Sequence, residues 1–510
     1  MVSIRAIFVL ISALLGGCAL KPLPFSNDDL AEARQGWMAR AVGDSERISK
    51  PISLYEAMAR ALKHNLSARV DALDAALKMR QLDLASADQL PQLVASGDST
   101  VRNNENASSS RSVLTGEQSL QTSTSSDRQD NTADLTLSWN ILDFGLSYVR
   151  TLQAGDKALI SEEARRKAVH TLMRDVRTAF WKTAASDILS RRISGVSGRM
   201  RAANDHVKGL EAEGTVSPLF TLTFRRDVLE LRVEIQNLYA ELAPAKVQLA
   251  QLMNVNPGPD FRVAASRSAA LQPARLPSFK EMSEIALQRR PELRQAGYDL
   301  RVNQREAEIA LLELLPSIGP SLSVNTDTNS FLYNHDWVSA GTKASWNLMK
   351  ILTYPKRKAA VEAEADYLDK KALATAVAIM TEVQVSRINY LHAREKVRIA
   401  QEFFEVESSI LQQMRSSHEA GSIGEHTLMR QEMRALLAEA KRNLAYADYQ
   451  NALGMLFVSM GIDVAEGALD VNLSLEKLSE VLASDWRSKC EMTLKPEQLS
   501  LSPVRMRKPG

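Results

Sequence analysis

One short stretch decides the fold because it occurs twice. The sequence SWNIL at Ser138–Leu142 returns 207 residues later as SWNLM at Ser345–Met349. An Asn/Ser-rich loop of 18 extra residues, present only in the first copy, changes the offset to 225 further upstream. Repeats of this length indicate a tandem duplication, whose units we place at residues 51–256 and 275–463. Further landmarks follow the same two offsets: Gly214 with Gly421, Met253 with Met460, and Leu90-Pro91 with Leu315-Pro316.

Alternating apolar and polar residues precede and enter each SWN stretch, and a period of two predicts β-strands. Each run has about ten residues, the length of a transmembrane β-strand. We therefore expect β-hairpins at about residues 91–145 and 316–349, with Trp139 and Trp346 as landmarks in the return strands. Asn103–Asn131 is expected to form the long turn of the first hairpin. One face of the strands is apolar, through Leu93, Ala95, Leu135, Leu137, Trp139, Ile141, Ile318, Leu322, Val324, Val338, Ala340, Trp346 and Leu348.

Helical periodicity precedes and follows each hairpin. It begins at Ser53 and runs to about Gln89. After the strands it predicts helical hairpins at about residues 146–254 and 355–461, and the first of their helices would be ~100 Å long at 1.5 Å per residue. Pro244 should bend the returning helix. The apolar spacing there is 4-3-4-3, typical of a coiled coil, through Leu231, Ile235, Leu238, Leu242, Ala245, Leu249 and Leu252.

Glycine marks the two turns between these long helices. A residue at a helix C-terminus often has a left-handed conformation, which glycine adopts without strain. The predicted turns, or tips, consist of Gly214, Thr215, Val216 and Ser217 in the first hairpin, and of Gly421, Ser422, Ile423 and Gly424 in the second.

The N-terminus has the pattern of an export signal, which we place at residues 1–17. Arg5 precedes the apolar run Ala6–Leu15, and small residues lead directly to Cys18. This arrangement resembles the lipobox of bacterial lipoproteins, so Cys18 is expected to carry lipid. Ala19, rather than Asp, favours the outer membrane. The alternative is an ordinary signal peptide with an incidental cysteine.

Two polar segments flank the repeats. Residues 18–50 are expected to form a lipid-anchored tether with one short helix around Asp28–Met38. Residues 466–510 are expected to form a C-terminal tail that is partly ordered against the outside of the helices. After the N-terminus, no run of eighteen apolar residues predicts a transmembrane helix. The net charge of +2 gives no indication of a nucleic-acid partner. Cys490 is the only cysteine besides Cys18, so no intramolecular disulfide is expected.

The sequence contains no recognisable catalytic or cofactor-binding motif. It has neither a phosphate-binding Gly-rich loop nor a Gly-x-Ser-x-Gly turn. His418-Glu419 and Glu425-His426 flank the second tip, but without the His-Glu-x-x-His spacing of a zinc site. We interpret them as solvated charges and expect no enzyme activity, cofactor or metal.

Four strands with one apolar face cannot close a membrane pore alone. A sheet edge exposed to lipid would leave its N–H and C=O groups unpaired, and the smallest membrane barrels have eight strands. Three chains would supply twelve strands and twelve long helices. We therefore expect a homotrimer in which the apolar strand faces meet lipid and the polar faces line a pore. A soluble sandwich with the apolar faces as its core is the alternative.

The order of helix, strand pair and long helical hairpin, present twice, resembles the TolC family of outer-membrane efflux proteins over about residues 50–465. The resemblance implies a mainly α fold with a small β part, in which a trimeric twelve-stranded β-barrel in the outer membrane joins an α-helical coiled-coil barrel in the periplasm. It is carried by Ser53–Ala57, Ala61–Leu66, Leu90-Pro91, Leu137–Gly145 and Leu252–Asn254.

The family resemblance also implies a mechanism. The two tips would contact a periplasmic adaptor and form the gated mouth of a passive conduit, driven by an inner-membrane pump of resistance-nodulation-division or ABC type. This chain departs from the family at Phe220 and Thr427, where an acidic residue often follows the tip glycine by six positions. The sequence therefore leaves the class of adaptor and the details of docking open.

Two functions of other classes remain open. The first is a structural coiled-coil lipoprotein of the envelope, which would not conduct ions. The second is an envelope enzyme, which would require a clustered polar site. Drugs, metal ions, peptides and polysaccharide all remain possible as the exported molecule.

Overall fold

The computed structural model describes residues 24–43, 48, 50–255, 261–264, 276–462 and 470–491. The predicted signal peptide, Cys18 and residues 492–510 of the predicted tail lie outside this part of the chain. The described helices are α1 (Asn27–Gly43), α2 (Leu54–His64), α3 (Leu66–Ala87), α4 (Ile141–Ala212), α5 (Pro218–Leu242), α6 (Pro244–Leu252), α7 (Phe279–Arg289), α8 (Pro291–Leu312), α9 (Met349–Glu419), α10 (Glu425–Ser459) and α11 (Leu475–Glu491). The strands are β1 (Gln92–Val101), β2 (Ala107–Ser108), β3 (Ser123–Thr124), β4 (Gln129–Ser138), β5 (Ser317–Asp327) and β6 (Asp336–Ser345).

The same order of elements occurs in both halves of the chain. Two short helices lead into a strand pair, a long helix and a returning helix; α2 and α3 begin the first series, and α7 and α8 the second. The long helices α4 and α9 have 72 and 71 residues, so each is about 105 Å long at 1.5 Å per residue. None of the helices in the described ranges has a stretch that is long and apolar enough to cross a membrane.

The helix predicted from Ser53 to about Gln89 is in fact two helices, so its continuity was wrongly predicted. The break lies at Asn65, whose side chain accepts a hydrogen bond from the N–H of Ala68 at 2.9 Å and so caps α3. The side-chain amide of Asn65 also donates to the carbonyl of Leu252 at 3.0 Å. Asn65 thus caps a new helix and also binds the end of α6. Both interactions favour a break at this residue over a continuous helix.

The second half has a corresponding break at Arg290. Its guanidinium donates to the carbonyl of Val458 at 3.2 Å, near the end of α10. Each pair of short helices is thus bonded to the end of the returning helix of its own half. Just beyond those ends, Asn254 and Gly461 both have positive φ, 52° and 68°.

The four long strands form one antiparallel sheet in the order β1-β4-β5-β6, so the two hairpins pair through β4 and β5. The register places Leu137 opposite Leu322 and Leu135 opposite Val324, while Val324 also faces Val338. These side chains share one exposed face. The predicted alternation is therefore confirmed for the residues that lie within the strands. Among the described residues, β1 and β6 each pair on one side only.

The return strands end earlier than predicted. β4 stops at Ser138 and β6 at Ser345, so Trp139 and Trp346 follow the strands instead of belonging to them. The indole N–H of Trp346 donates to the carbonyl of Leu314 at 2.9 Å, which ties the strand end to the helix before the hairpin.

The long helices begin correspondingly earlier. Asn140 accepts a hydrogen bond from the N–H of Leu142 at 3.0 Å and is the N-cap of α4. Ile141 is therefore helical, and Leu348 is the N-cap of α9, although both were predicted as strand positions. The apolar alternation continues through the SWN stretch, but the capping asparagine ends the first return strand.

The predicted long turn of the first hairpin contains the paired two-residue strands β2 and β3, and its last residues belong to β4. Hydrogen bonds hold its base against the turn of the second hairpin. The side chain of Asn329 donates to the carbonyl of Ser125 at 3.0 Å, and the N–H of Ser330 donates to the carboxylate of Asp127 at 2.6 Å. The two hairpin turns thus form one connected surface.

A shared core joins α4 to the two returning helices α5 and α10 in the part of the molecule towards the tips. α4, α5 and α10 all contribute to it, including Phe224 of α5 and Met433 of α10. The predicted coiled-coil positions of the returning helix are buried or partly buried, which confirms that pattern. Pro244 acts as expected on the backbone: α5 ends at Leu242, and α6 begins with the proline.

Helix α11, within the predicted tail, joins the cores of the two halves. Leu478 and Leu482 belong to the core around α2, whereas Trp486 and Cys490 belong to the core around α7, α9 and α10. The guanidinium of Arg177 lies 3.6 Å from the centroid of the Trp486 ring. Burial lowers the pKa of this arginine to about 10.

Candidate functional site at the helical hairpin tips

The first tip connects α4 to α5 by a tight turn. Gly214 has φ of +72°, which costs little without a Cβ. The N–H of Thr215 donates to a carbonyl in the last turn of α4 at 2.9 Å. The hydroxyl of Ser217 accepts from the N–H of Phe220 at 3.2 Å and caps α5. Every residue of this turn therefore supports a fixed reversal of the chain.

The second tip connects α9 to α10 in the same way. Gly421 has φ of +74°. His418 connects both sides of the turn, since its Nδ1 lies 3.0 Å from the carbonyl oxygen of Ile423 and its Nε2 3.1 Å from the carboxylate of Glu425. Within the described ranges, no group of three or more His, Cys, Asp or Glu side chains is arranged to bind a metal ion.

The two tips of one chain meet through His426, in the first turn of α10. Its ring stands edge-on to Phe220 and Phe224 of α5, with centroids 5.2 and 6.0 Å apart and planes at 90° and 87°. On the other side of the ring, a Cβ at Gly424 would lie only 2.7 Å from the imidazole. Position 424 must therefore remain small for the ring to occupy this site.

Charged side chains surround this contact. Arg430 of α10 lies 3.3 Å from Asp227 of α5, and Arg226 approaches the same carboxylate at 3.2 Å. The hydrogen bond from Arg226 holds the pKa of Asp227 below its usual value. Burial lowers the pKa of His426, and electrostatic interactions with Arg430 and His206 lower it further.

The tips lie where the glycines predicted them, but the residues that join them were not predicted. The interpretation of Glu425-His426 as solvated charge is wrong for His426, which is half-buried between aromatic rings. Phe220, noted as a departure from the family pattern, is one of those rings. The contact joins residues more than 200 positions apart, and no local pattern indicates it.

Three helices carry apolar stripes that face away from the chain's own core. At heptad spacing, such exposed stripes indicate helical partners outside the chain. About half of the surface of Phe403 is exposed (50%), and Leu229 is similar (53%). The α9 stripe consists of Ile399, Phe403, Val406 and Ile410, the α5 stripe of Leu222, Leu229 and Val233, and the α3 stripe of Leu66, Val70, Leu73, Leu77 and Leu84.

Residues 282–461 match the family model described as outer membrane efflux protein. This range begins in α7 and ends just beyond α10, so it includes β5, β6, the second tip and His426. No curated protein matches the chain.

Solved outer-membrane channels have the same fold. OprN is 16% identical with a TM-score of 0.61, over 82% of this chain and 95% of that chain. The MtrE channel of Neisseria gonorrhoeae, in its open state, is 17% identical with a TM-score of 0.59, over 80% and 89%. CmeC of Campylobacter jejuni is 14% identical with a TM-score of 0.59, over 94% and 95%. The resemblance to TolC-like outer-membrane efflux proteins is thus confirmed: residues 282–461 match their family model, and the chain shares the fold of solved outer-membrane channels.

Proposed function

We propose that this protein is the outer-membrane channel component of a tripartite efflux or type I secretion system. It would act as a passive gated conduit from the periplasm to the outside, without catalysis. One observation carries the proposal: the chain has the fold of outer-membrane channels, and its sheet has an exposed apolar face and two open edges.

The sheet supports assembly through its edges. Unpaired N–H and C=O groups on β1 and β6 are costly in lipid, and another chain can satisfy them. β1 and β6 run in opposite directions, because three antiparallel pairings separate them. They can therefore pair antiparallel between neighbouring chains, and three copies close a barrel of twelve strands. The apolar face would meet lipid and the polar face the pore.

The apolar stripes support a matching assembly of the helices. In water, the α5 and α9 stripes would remain exposed along a large part of each helix, so a partner that covers them stabilises the assembly. Neighbouring copies supply such partners in a closed ring. The result is a coiled-coil barrel that continues the strand barrel into the periplasm.

The recurring backbone conformations support an origin by duplication. Gly214 and Gly421 have nearly equal positive φ, and so do Asn254 and Gly461. Both pairs are separated by 207 residues, the offset of the SWN stretches. On this basis residues 51–256 and 275–463 are the two repeat units, which follow the tether and precede the tail.

The remaining parts of the proposal concern location and partners. The export signal and Cys18 favour a lipid-anchored protein in the outer membrane of a Gram-negative bacterium. The two tips, at the far end of helices about 105 Å long, would contact a periplasmic adaptor protein and form the mouth. An inner-membrane pump of resistance-nodulation-division or ABC type would supply the energy.

The edge pairing can be tested by cysteine crosslinking in outer membranes. Ala95 of β1 and Ala340 of β6 lie on the same face of the sheet. Within one chain they are separated by three strand spacings, about 14 Å, so a shorter crosslinker can join them only between chains. We expect the double variant Ala95→Cys/Ala340→Cys to give a covalent trimer. Each single variant is the control and should give no trimer.

Native mass and conductance decide between the proposal and its alternative. The detergent-extracted protein should have the mass of three chains and should conduct ions in planar bilayers. A stable, well-folded monomer that neither crosslinks nor conducts would overturn the proposal and favour the structural coiled-coil lipoprotein.

A further inference from the structure

The contact between the two tips is built around a ring nitrogen that lacks a partner. Nδ1 of His426 is buried, and in the described part of the chain nothing forms a hydrogen bond with it. A neutral imidazole has one donor and one acceptor nitrogen, whereas both nitrogens of an imidazolium are donors. In the tautomer with its proton on Nε2, protonation would therefore create a buried Nδ1–H without an acceptor, which is unfavourable.

The charges that face the ring also oppose protonation. Electrostatic interactions with Arg430 of α10 and with His206 of α4 both act against a charged imidazole. Together with burial, these interactions lower the pKa of His426.

The acidic groups nearby are already engaged. On α5, Asp227 pairs with both Arg226 and Arg430. Glu425, next to His426 in sequence, pairs with His418 of α9. Neither carboxylate is placed to neutralise a charge on His426 without giving up its present partner.

We propose that His426 is a proton-operated latch between the two helical hairpins of each chain. The neutral ring holds the tips together, and protonation in a mildly acidic periplasm releases them. The inference rests on the proposed function, because the tips form the mouth of the proposed conduit. The inference adds a signal for opening to the proposed function: a fall in pH would widen the mouth even before an adaptor protein binds.

The direction of the pH effect follows from the lowered pKa. When the hairpins separate, His426 returns to the usual histidine value near 6.5. The packed state therefore has its full stability above that pH and loses it as the pH falls towards the pKa of the packed ring. Below that value both states are protonated, and the effect levels off.

The latch can be tested by measuring the distance between the tips in the full-length protein. Spin labels at Thr215→Cys and Ser422→Cys, diluted with unlabelled protein, report the separation within one chain. Between about pH 7 and about pH 5, we expect the ratio of separated to packed tips to rise by up to about tenfold per pH unit while the ring titrates.

Variants distinguish this latch from a general effect of acid. His426→Phe keeps an aromatic ring between Phe220 and Phe224 but cannot titrate, so its tips should stay together at both pH values. The control His392→Gln removes an exposed histidine of α9 that lies away from the tips, and it should retain the wild-type response. Equal pH responses of His426→Phe and wild type, or no response in wild type, would overturn the inference.

Conductance of the same samples separates the two proposals. A trimer that conducts at neutral pH, with a tip distance that does not change in acid, would refute the latch alone. Protein that forms no trimer and does not conduct at either pH would refute the proposed channel.

Discussion

Gly461 is a residue whose identity is constrained in two independent ways. Its φ of +68° lies in the left-handed region, where a side chain is strained. In addition, a Cβ would lie 2.8 Å from the backbone nitrogen of Arg290 and 2.9 Å from the carbonyl carbon of Arg289. Asn254, in the corresponding place of the first half, has the same conformation with a side chain. The close approach of α7 is therefore what makes glycine necessary in the second half.

We expect Gly461→Ala to destabilise the protein by about 1–3 kcal/mol through backbone strain, and the steric conflict should add to this cost. The matched control is Gly297→Ala in α8, where a Cβ meets nothing within 4 Å. That change should stabilise by up to about 1 kcal/mol, since alanine favours helix. Denaturant unfolding of the detergent-solubilised protein, followed by circular dichroism, measures both, and equal effects would contradict this account.

Single residues also show which features of the tips could be predicted from the sequence alone. Gly214 and Gly421 could be placed at turns because glycine at the end of a helical pattern has a local conformational reason. His426 could not be placed between Phe220 and Phe224, because that contact depends on how two hairpins distant in sequence lie against each other.

At the scale of elements, α11 is the part of the chain whose role was least predictable. The prediction for its residues was a polar tail, partly ordered against the outside of the helices, with no role assigned to it. In the fold it bridges the cores of both halves, with the ring of Trp486 against Phe457 (centroids 5.1 Å apart) and beneath the guanidinium of Arg177. The helix thus limits movement between the two halves at their junction.

Replacing Trp486 with alanine should cost about 3–5 kcal/mol, the usual effect of removing a buried aromatic side chain. It also leaves the buried Arg177 without the ring that lies over it. Val481→Ala in the same helix is the control and should change stability by no more than about 0.5 kcal/mol, because Val481 is 40% exposed. Thermal unfolding measures both variants, and similar melting temperatures would show that α11 does not hold the junction.

Strand and helix types were predictable at this scale, but their boundaries were not. The period of two identified β4 and β6, and the change to helical period identified α4 and α9. Both periods fit the residues at Ile141 and Leu348, because apolar side chains there satisfy either pattern. Hydrogen bonding to Asn140, invisible to periodicity, decided in favour of helix in the first half.

At the scale of the whole molecule, the exposed stripes predict that assembly and chain folding can be disturbed separately. Phe403→Glu places a charge where a neighbouring chain is expected to pack, but where the isolated chain is open to solvent. We expect each interface to lose the stabilisation of about 1.5–3 kcal/mol that burial of the Phe403 side chain provides. The cost of burying the charge adds to this loss. Native mass spectrometry on dilution should show dissociation of the trimer, with unchanged helix content.

The control introduces the same charge on the same helix, away from the stripe. Gln412→Glu lies at an exposed position of α9 outside the heptad spacing, so its trimer should persist on dilution like the wild type. If both variants dissociated equally, a general effect of charge on α9 would explain the result, and the stripe would have no special role.

The pairing of β4 with β5 has an evolutionary consequence. It joins the two proposed repeats through the same kind of edge that β6 and β1 would share between chains, and each half supplies one hairpin of strands and one of helices. An ancestor before gene duplication would have closed its ring with six identical copies. Under the proposed duplication, fusion in pairs would free alternate positions of that ring to diverge, and Phe220 and Thr427, which are 207 residues apart, would be one such pair. Around the ring of a trimer, first and second tips would alternate. A binding partner would therefore meet three sites of each kind.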